Sequence, residues 1–178
     1  MQKRVLVTFA TRAGATAGVA EAIGQTLAER GLLVDVRRML DVHDLSSYQA
    51  VVAGSAIRGG SWLSEALDFV RNHQAELKSK PFAAFMVCIT LAMKNGENYR
   101  AGIANWMKPV RDLVPTVSEG LFAGMLDFSK LPLNMDTLRL RATVAAGVFP
   151  KGDHRDWEAI RQWAESLPPL LFPAVRDD

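Results

Sequence analysis

The residues best suited to chemistry in this chain are two threonines and a glycine within one short stretch. Thr11, Gly14 and Thr16 follow directly on the apolar run from Val5 to Phe9. Hydroxyl groups can donate hydrogen bonds to an anion, and a glycine lets the backbone approach a ligand closely. A helix pattern begins at once, so the free N–H groups of its first turn face the same stretch. The spacing therefore predicts a phosphate-binding loop between a strand and a helix.

This loop departs from the two commonest nucleotide-binding patterns. A P-loop needs a lysine after its last glycine, and no lysine follows Gly14 or Gly18 in the loop. The dinucleotide fingerprint needs the pattern G-x-G-x-x-G, whereas these two glycines stand four residues apart. The ligand that fits is a terminal phosphate monoester held by hydroxyls and amides. The structural alternative is an ordinary strand followed by a helix that Thr16 caps.

The elements that must position this loop alternate between strand and helix patterns. Apolar runs predict five strands, at residues 5–9, 32–36, 50–54, 82–89 and 117–125. Helix patterns separate them, and the last helix is expected to start at Asp153 as its N-cap, with Asp156 in its first turn. Near-continuous apolar strands alternating with helices are typical of a parallel sheet covered on both faces. We therefore expect an α/β fold, a doubly wound five-stranded parallel sheet, in one domain of residues 1–172 with a loose tail at 173–178.

The composition is that of an ordinary globular chain, with 49% apolar and 22% charged residues among 178 and a net charge of +2. The single cysteine, Cys88, excludes an internal disulfide and is typical of a reducing compartment. The three histidines share no metal-ligand spacing, so we expect no metal. The apolar stretch behind Met1 is short and interrupted by polar residues, so we expect a cytoplasmic protein rather than an exported one. We expect no nucleic-acid partner.

The phosphate loop resembles that of the flavodoxin family, whose pattern is S/T-x-T-G-x-S/T after the first strand. Thr11, Gly14 and Thr16 match this pattern, while Ala13 replaces the family threonine. The resemblance implies a flavodoxin-like sheet of strand order 2-1-3-4-5 and non-covalently bound FMN. It also implies which residues surround the FMN phosphate, namely Thr11, Arg12, Ala13, Gly14, Ala15 and Thr16.

Two further loops are expected to hold the flavin ring, because ligands of such sheets bind at the carboxyl ends of the strands. The residues assigned to it are Ser55, Ala56, Ile57, Arg58, Gly59, Gly60 and Trp62 after strand three, and Cys88, Thr90, Leu91 and Tyr99 after strand four. Gly59 and Gly60 give a peptide freedom to reorient when the flavin changes redox state. Trp62 either covers a ring face or packs on the next helix, and Tyr99 either stacks on the ring or begins a helix.

A second resemblance concerns the residues after the third strand. Gly54 to Gly60 read G-S-A-I-R-G-G and match G-A/S-x-I-R-x-G, which is similar to flavodoxin-domain proteins related to the bacterial menaquinone-dependent protoporphyrinogen oxidase. That group implies an oxidoreductase of heme biosynthesis that oxidises a porphyrinogen and passes electrons to a quinone. A flavodoxin-type carrier between redox partner proteins is the alternative, and a domain without flavin is a third class. Arg58 is the catalytic candidate, either for a substrate carboxylate or for tuning the flavin, against an exposed arginine with no partner.

The segment 127–153 corresponds to an insertion in that group. Its apolar residues are Phe128, Leu131, Leu133, Met135, Leu138 and Leu140, and the basic residues among them are Lys130, Arg139 and Arg141. Such a segment can lie on the anionic inner face of the plasma membrane, near a quinone pool. It can equally cover the sheet edge or form a contact in a homo-oligomer.

Overall fold

A computed structural model of the chain describes residues 3–174. The strands are β1 Arg4–Ala10, β2 Leu33–Arg38, β3 Ala50–Arg58, β4 Ser61–Trp62, β5 Phe82–Cys88, β6 Ser118–Ala123, β7 Met125–Leu126 and β8 Gly152–Asp153. Five of them form a parallel sheet in the order β2-β1-β3-β5-β6. Counted without the two-residue strand β4, this is the predicted order 2-1-3-4-5, and the predicted fold class is confirmed.

Helices cover both faces of the sheet. They are α1 Ala15–Glu29, α2 Ser64–Asn72, α3 Gln74–Lys78, α4 Arg100–Ala104, α5 Lys108–Leu113, α6 Met135–Ala145, α7 Trp157–Ser166 and α8 Pro168–Leu171. The helices α1, α7 and α8 pack on one face, through residues such as Ile23 and Ile160. The helices α2 to α5 pack on the other, through residues such as Phe69 and Val110. Both layers bury apolar side chains, which explains why the central strands are apolar throughout rather than alternating.

The third strand runs further than its sequence pattern predicts. It continues to Arg58 and pairs in antiparallel register with β4, so that Arg58 lies opposite Ser61. The prediction of a loop over residues 55–62 was therefore wrong for most of its length. Gly59 and Gly60 connect the two strands with φ values of +59° and +74°. Two successive left-handed residues form the tight turn that suits the twist of a β-hairpin, and glycine adopts them without strain.

The last long helix begins later than predicted. Asp156, rather than Asp153, is the N-cap of α7, and its carboxylate accepts a hydrogen bond from the Ala159 N–H at 3.0 Å. Asp153 instead lies in β8 and forms an ion pair with Arg155 at 2.6 Å. Strands β7 and β8 pair with each other and bring the two ends of segment 127–153 together. The segment contains a 3₁₀ turn at 128–130 and α6. Residues 173–174 belong to no element, and the remaining predicted tail, 175–178, lies outside the described residues.

Candidate functional site

The loop after β1 ends in a glycine that starts the first helix. Gly14 is the N-cap of α1 and has a φ of +85°. Its N–H donates a 3.0 Å hydrogen bond to the Thr11 hydroxyl oxygen, so the Thr11 O–H proton stays available to a ligand. Thr16 is the second residue of the helix and not its cap, so the capping alternative for this residue was wrong.

The Thr16 hydroxyl is the clearest sign that the loop receives a ligand. Thr16 is fully buried, and its Oγ1 has no hydrogen-bond partner among residues 3–174. A buried polar atom without a partner costs about 1–3 kcal/mol of stability. Thr16 lines a cavity of about 150 Å³ at the start of α1, where the N–H groups of the first helical turn favour an anion. The residues present thus fit a phosphate group.

The cavity brings together the carboxyl ends of four strands. Its lining includes residues 11–16 without Gly14, the pair Ala56–Ile57 and Cys88, as expected for ligands of a doubly wound sheet. The stretch Gly124–Asp127, which follows β6, also lines it, although its sequence pattern did not predict a place in the site. Ligands of such sheets bind at the carboxyl ends of the strands, and this rule, applied to the fifth parallel strand, predicts that Gly124–Asp127 belongs to the site.

A second cavity of about 290 Å³ adjoins the first. Its lining is largely apolar and includes Ile57, Leu63, Leu131 and Leu140, and it shares with the first cavity the residues Arg12, Ala56, Ile57, Leu131 and Leu140. Leu131 and Leu140 belong to segment 127–153, so this segment covers both cavities. The sequence pattern gave no sign that these two leucines turn inward.

Two arginines stand at the second cavity, and each has a carboxylate partner. Arg12 forms an ion pair with Glu65 of α2, with N···O distances of 2.7 and 3.0 Å. Arg58 forms an ion pair with Asp136 of α6. The side chains of Arg58 and Asp136 are 63% and 61% exposed, so this ion pair contributes little to stability and can exchange partners.

Two residues assigned to the ring hold the hairpin to the fold. Ser55 is fully buried, and its hydroxyl accepts a hydrogen bond from the Leu63 N–H at 3.0 Å. Trp62 is 3% exposed, and its indole N–H donates to the Met107 sulfur at 3.2 Å. Neither lines the two cavities, because both side chains turn towards the layer of α2 to α5. Trp62 is therefore a packed residue of β4, and its side chain contacts Met107 rather than the first turn of α2.

Of the residues assigned to the ring at the end of β5 and after it, one lines the first cavity and the others do not. Cys88 lines the first cavity, whereas Thr90 and Leu91 lie in a 3₁₀ turn at 89–92 and line neither cavity. Tyr99 is 60% exposed and directly precedes α4, which matches the alternative that it begins a helix. Burial raises the pKa of the Cys88 thiol, so this group stays protonated at neutral pH.

Among residues 3–174, no group of three or more histidine, cysteine, aspartate or glutamate side chains is placed to hold a metal ion. In the same range, no helix has the length and apolar character needed to cross a bilayer.

A doubly wound parallel sheet with an anion-binding loop after its first strand defines a class of α/β ligand-binding domains. The model of the flavodoxin domain family matches residues 6–138, and the chain belongs to this family. FMN is the cofactor of the family, and the buried Thr16 hydroxyl fits a phosphate group at this loop. Similar solved structures include a flavodoxin from the Archaea (16% identity, TM-score 0.55, covering 92% of this chain and 95% of that one). A flavodoxin of Streptococcus pneumoniae TIGR4 has 18% identity and a TM-score of 0.57, with 92% and 97% covered.

Two similar curated proteins carry the same name. The protoporphyrinogen IX dehydrogenase (quinone) of Escherichia coli K12 is 33% identical over 86 residues, which cover 47% of this chain. This match spans 48% of the Escherichia coli protein, or about half of its length. The enzyme of the same name from Leishmania major is 26% identical over 185 residues, which cover 96% of this chain and 78% of that one.

Proposed function

We propose that this flavodoxin-family protein is an FMN-dependent oxidoreductase that oxidises a porphyrinogen and passes the electrons to a quinone. The observation that carries the proposal is the second cavity, because it combines an apolar lining with two arginines beside the phosphate loop. A carrier that only exchanges electrons with proteins needs no covered cavity of this kind. The names of the similar Escherichia coli and Leishmania proteins support the same reaction.

The phosphate loop would hold FMN by its phosphate. The hydroxyls of Thr11 and Thr16 and the N–H groups of the first turn of α1 would donate hydrogen bonds to it. Bound FMN supplies the redox chemistry of the reaction. The chain's own residues would bind and orient the flavin and the substrate, and the apolar residues beside Ile57 would limit the access of water to the cavity.

Arg58 would bind a carboxylate of the substrate, such as a porphyrinogen propionate. A guanidinium can hold a carboxylate through two parallel hydrogen bonds, and it is always charged. The carboxylate of Asp136, which is 61% exposed, would give way to that of the substrate. Arg12 already forms such a two-point contact with Glu65, so it keeps its partner more firmly.

The test is steady-state turnover under anaerobic conditions with a porphyrinogen and a menaquinone analogue. Arg58→Lys keeps the charge but loses the planar fork, so we expect a raised KM and an almost unchanged flavin potential. Arg71→Lys is the matched control, because Arg71 forms a similarly exposed ion pair with Asp68 that lies away from both cavities. Absence of any porphyrinogen turnover, together with fast electron exchange with a redox protein, would support the carrier instead.

A further inference from the structure

The Arg155 side chain, which directly precedes the N-cap of α7, is nearly buried. Only 12% of it is exposed, which is uncommon for an arginine. Its Nη2 and Nε atoms donate hydrogen bonds to the Asp153 carboxylate at 2.6 and 2.8 Å. Its guanidinium carbon lies 4.4 Å from the centroid of the Trp157 ring. The carboxylate and the ring together fix the position of the guanidinium.

The fixed guanidinium lies against the first turn of α1. Its Nη1 donates a hydrogen bond to the Ala15 carbonyl oxygen at 3.3 Å, and its Nη2 lies 3.8 Å from the Met125 sulfur. Ala15 and Met125 both line the first cavity, whereas Arg155 does not. Arg155 therefore lies directly behind the wall of the cavity that fits a phosphate group.

Gly18 provides the space that the guanidinium occupies. A Cβ atom at this position would lie 2.6 Å from Nη1 of Arg155, which is too close for either atom to stay in place. Gly18 is in the interior of α1, where glycine is less favourable than alanine. The contact with Arg155 gives a reason for a glycine four residues after Gly14, where the dinucleotide-binding pattern gave none.

The phosphate loop itself supplies little positive charge. Residues 11–16 contain no lysine, Ala13 has no hydroxyl, and Arg12 forms an ion pair with Glu65. Arg155 brings a cation from a distant part of the chain to the end of α1 at which the helix dipole is positive. Asp153 offsets this charge only in part, because its side chain is 39% exposed and solvent screens it more strongly.

We propose that Arg155 is a positioning residue for the phosphate of FMN. Its hydrogen bond to Ala15 holds the turn whose free N–H groups and Thr16 hydroxyl meet the phosphate. Its charge adds to the field that attracts an anion to this end of α1. The inference rests on the FMN site of the proposed function and does not depend on the reaction with a porphyrinogen.

The experiment compares the dissociation constants of FMN and riboflavin, measured by fluorescence titration of the flavin-free protein. Arg155→Met should weaken FMN binding about tenfold and leave riboflavin almost unchanged, because only FMN carries the phosphate charge. Arg155→Lys keeps the positive charge but loses the planar fork, so it should recover part of the lost affinity. Arg30→Met is the control and should change neither constant, because Arg30 joins α1 to α7 through Glu165 at the other end of α1.

Gly18→Ala tests the same claim without removing the charge. The added Cβ should displace the guanidinium, while alanine suits the helix. FMN should therefore bind about threefold more weakly, with no loss of stability in urea denaturation.

The ratio of the two flavin affinities decides the outcome. A ratio that stays at its wild-type value in both Arg155→Met and Gly18→Ala would overturn the inference, and equal weakening of FMN and riboflavin has the same consequence. A wild-type protein that binds no FMN would overturn the proposed function together with this inference, so the two failures can be told apart.

Discussion

Replacing Thr16 by valine should raise the stability of the protein and lower its affinity for FMN. Valine keeps the branched shape but has no hydroxyl, so the change removes a buried polar atom that lacks a partner. Such an atom costs about 1–3 kcal/mol, and Thr16→Val should recover part of this in the free energy of unfolding of the FMN-free protein. The two residues have similar helix propensities, so α1 itself should change little.

The loss of affinity follows from the charge of the ligand. A hydrogen bond to a charged group contributes roughly 1.5–3 kcal/mol, which corresponds to about a 10- to 150-fold weaker binding of FMN. Riboflavin has no phosphate, so its affinity should stay almost unchanged. Fluorescence titration gives both dissociation constants, and urea denaturation without flavin gives the stability.

Thr8 provides a matched control within the same chain. It is also fully buried with an unpartnered hydroxyl in the described structure, but it lies inside β1 and lines neither cavity. Thr8→Val should therefore raise stability in the same way without weakening FMN. Equal weakening of FMN and riboflavin by Thr16→Val would refute our reasoning, since Thr16 would then act only through the position of α1.

Three other predictions concern single residues. A thiol reagent should label Cys88 slowly, because this residue is buried. Cys88 lines the cavity, so FMN at 100 times its dissociation constant should slow labelling about 100-fold if only the FMN-free protein reacts. An unchanged labelling rate would show that Cys88 lies outside the FMN site. The hydrogen bond from Arg155 lowers the pKa of Asp153 below its ordinary 3.8, so its contribution to stability is present above that pH and is lost as the pH falls through the lowered value. Urea denaturation at pH values from 6 to 3 should show that the free energy of unfolding falls less for Asp153→Asn than for the wild type. An equal fall in both proteins would contradict this prediction. Gly60→Ala should lower the melting temperature by an amount equivalent to about 1 kcal/mol, because Gly60 has a φ of +74°. Gly102→Ala in α4 is the control and should not lower it. Equal effects of the two changes would refute the role of the left-handed conformation of Gly60 in the turn.

The fold could be predicted because its strands are apolar along their whole length. A run such as Phe82 to Cys88 is buried on both faces, and that pattern is typical of a parallel sheet between two helical layers. The phosphate loop was also accessible, since hydroxyls and a glycine at a strand-to-helix turn carry their chemistry in the local sequence. The apolar strand pattern and the phosphate loop can both be recognised from residues that are close together in the sequence.

The ring-binding loops were harder to predict, because side-chain direction there depends on distant contacts. The direction of Trp62 is set by Met107, which is 45 residues away, and that of Ser55 by the start of α2. Arg58 meets Asp136 across 78 residues, so no local pattern could reveal their ion pair. The inward turn of Leu140 in α6 is likewise a product of packing on the crevice.

The most direct test of the central claim is a single-turnover measurement. FMN-loaded protein is mixed anaerobically with a porphyrinogen, and the flavin absorbance near 450 nm, roughly where oxidised flavin absorbs, is followed in a stopped-flow instrument. We predict that the porphyrinogen bleaches the flavin, that porphyrin fluorescence appears, and that a menaquinone analogue restores the absorbance. A flavin that dithionite bleaches but porphyrinogen leaves oxidised would contradict the proposed function.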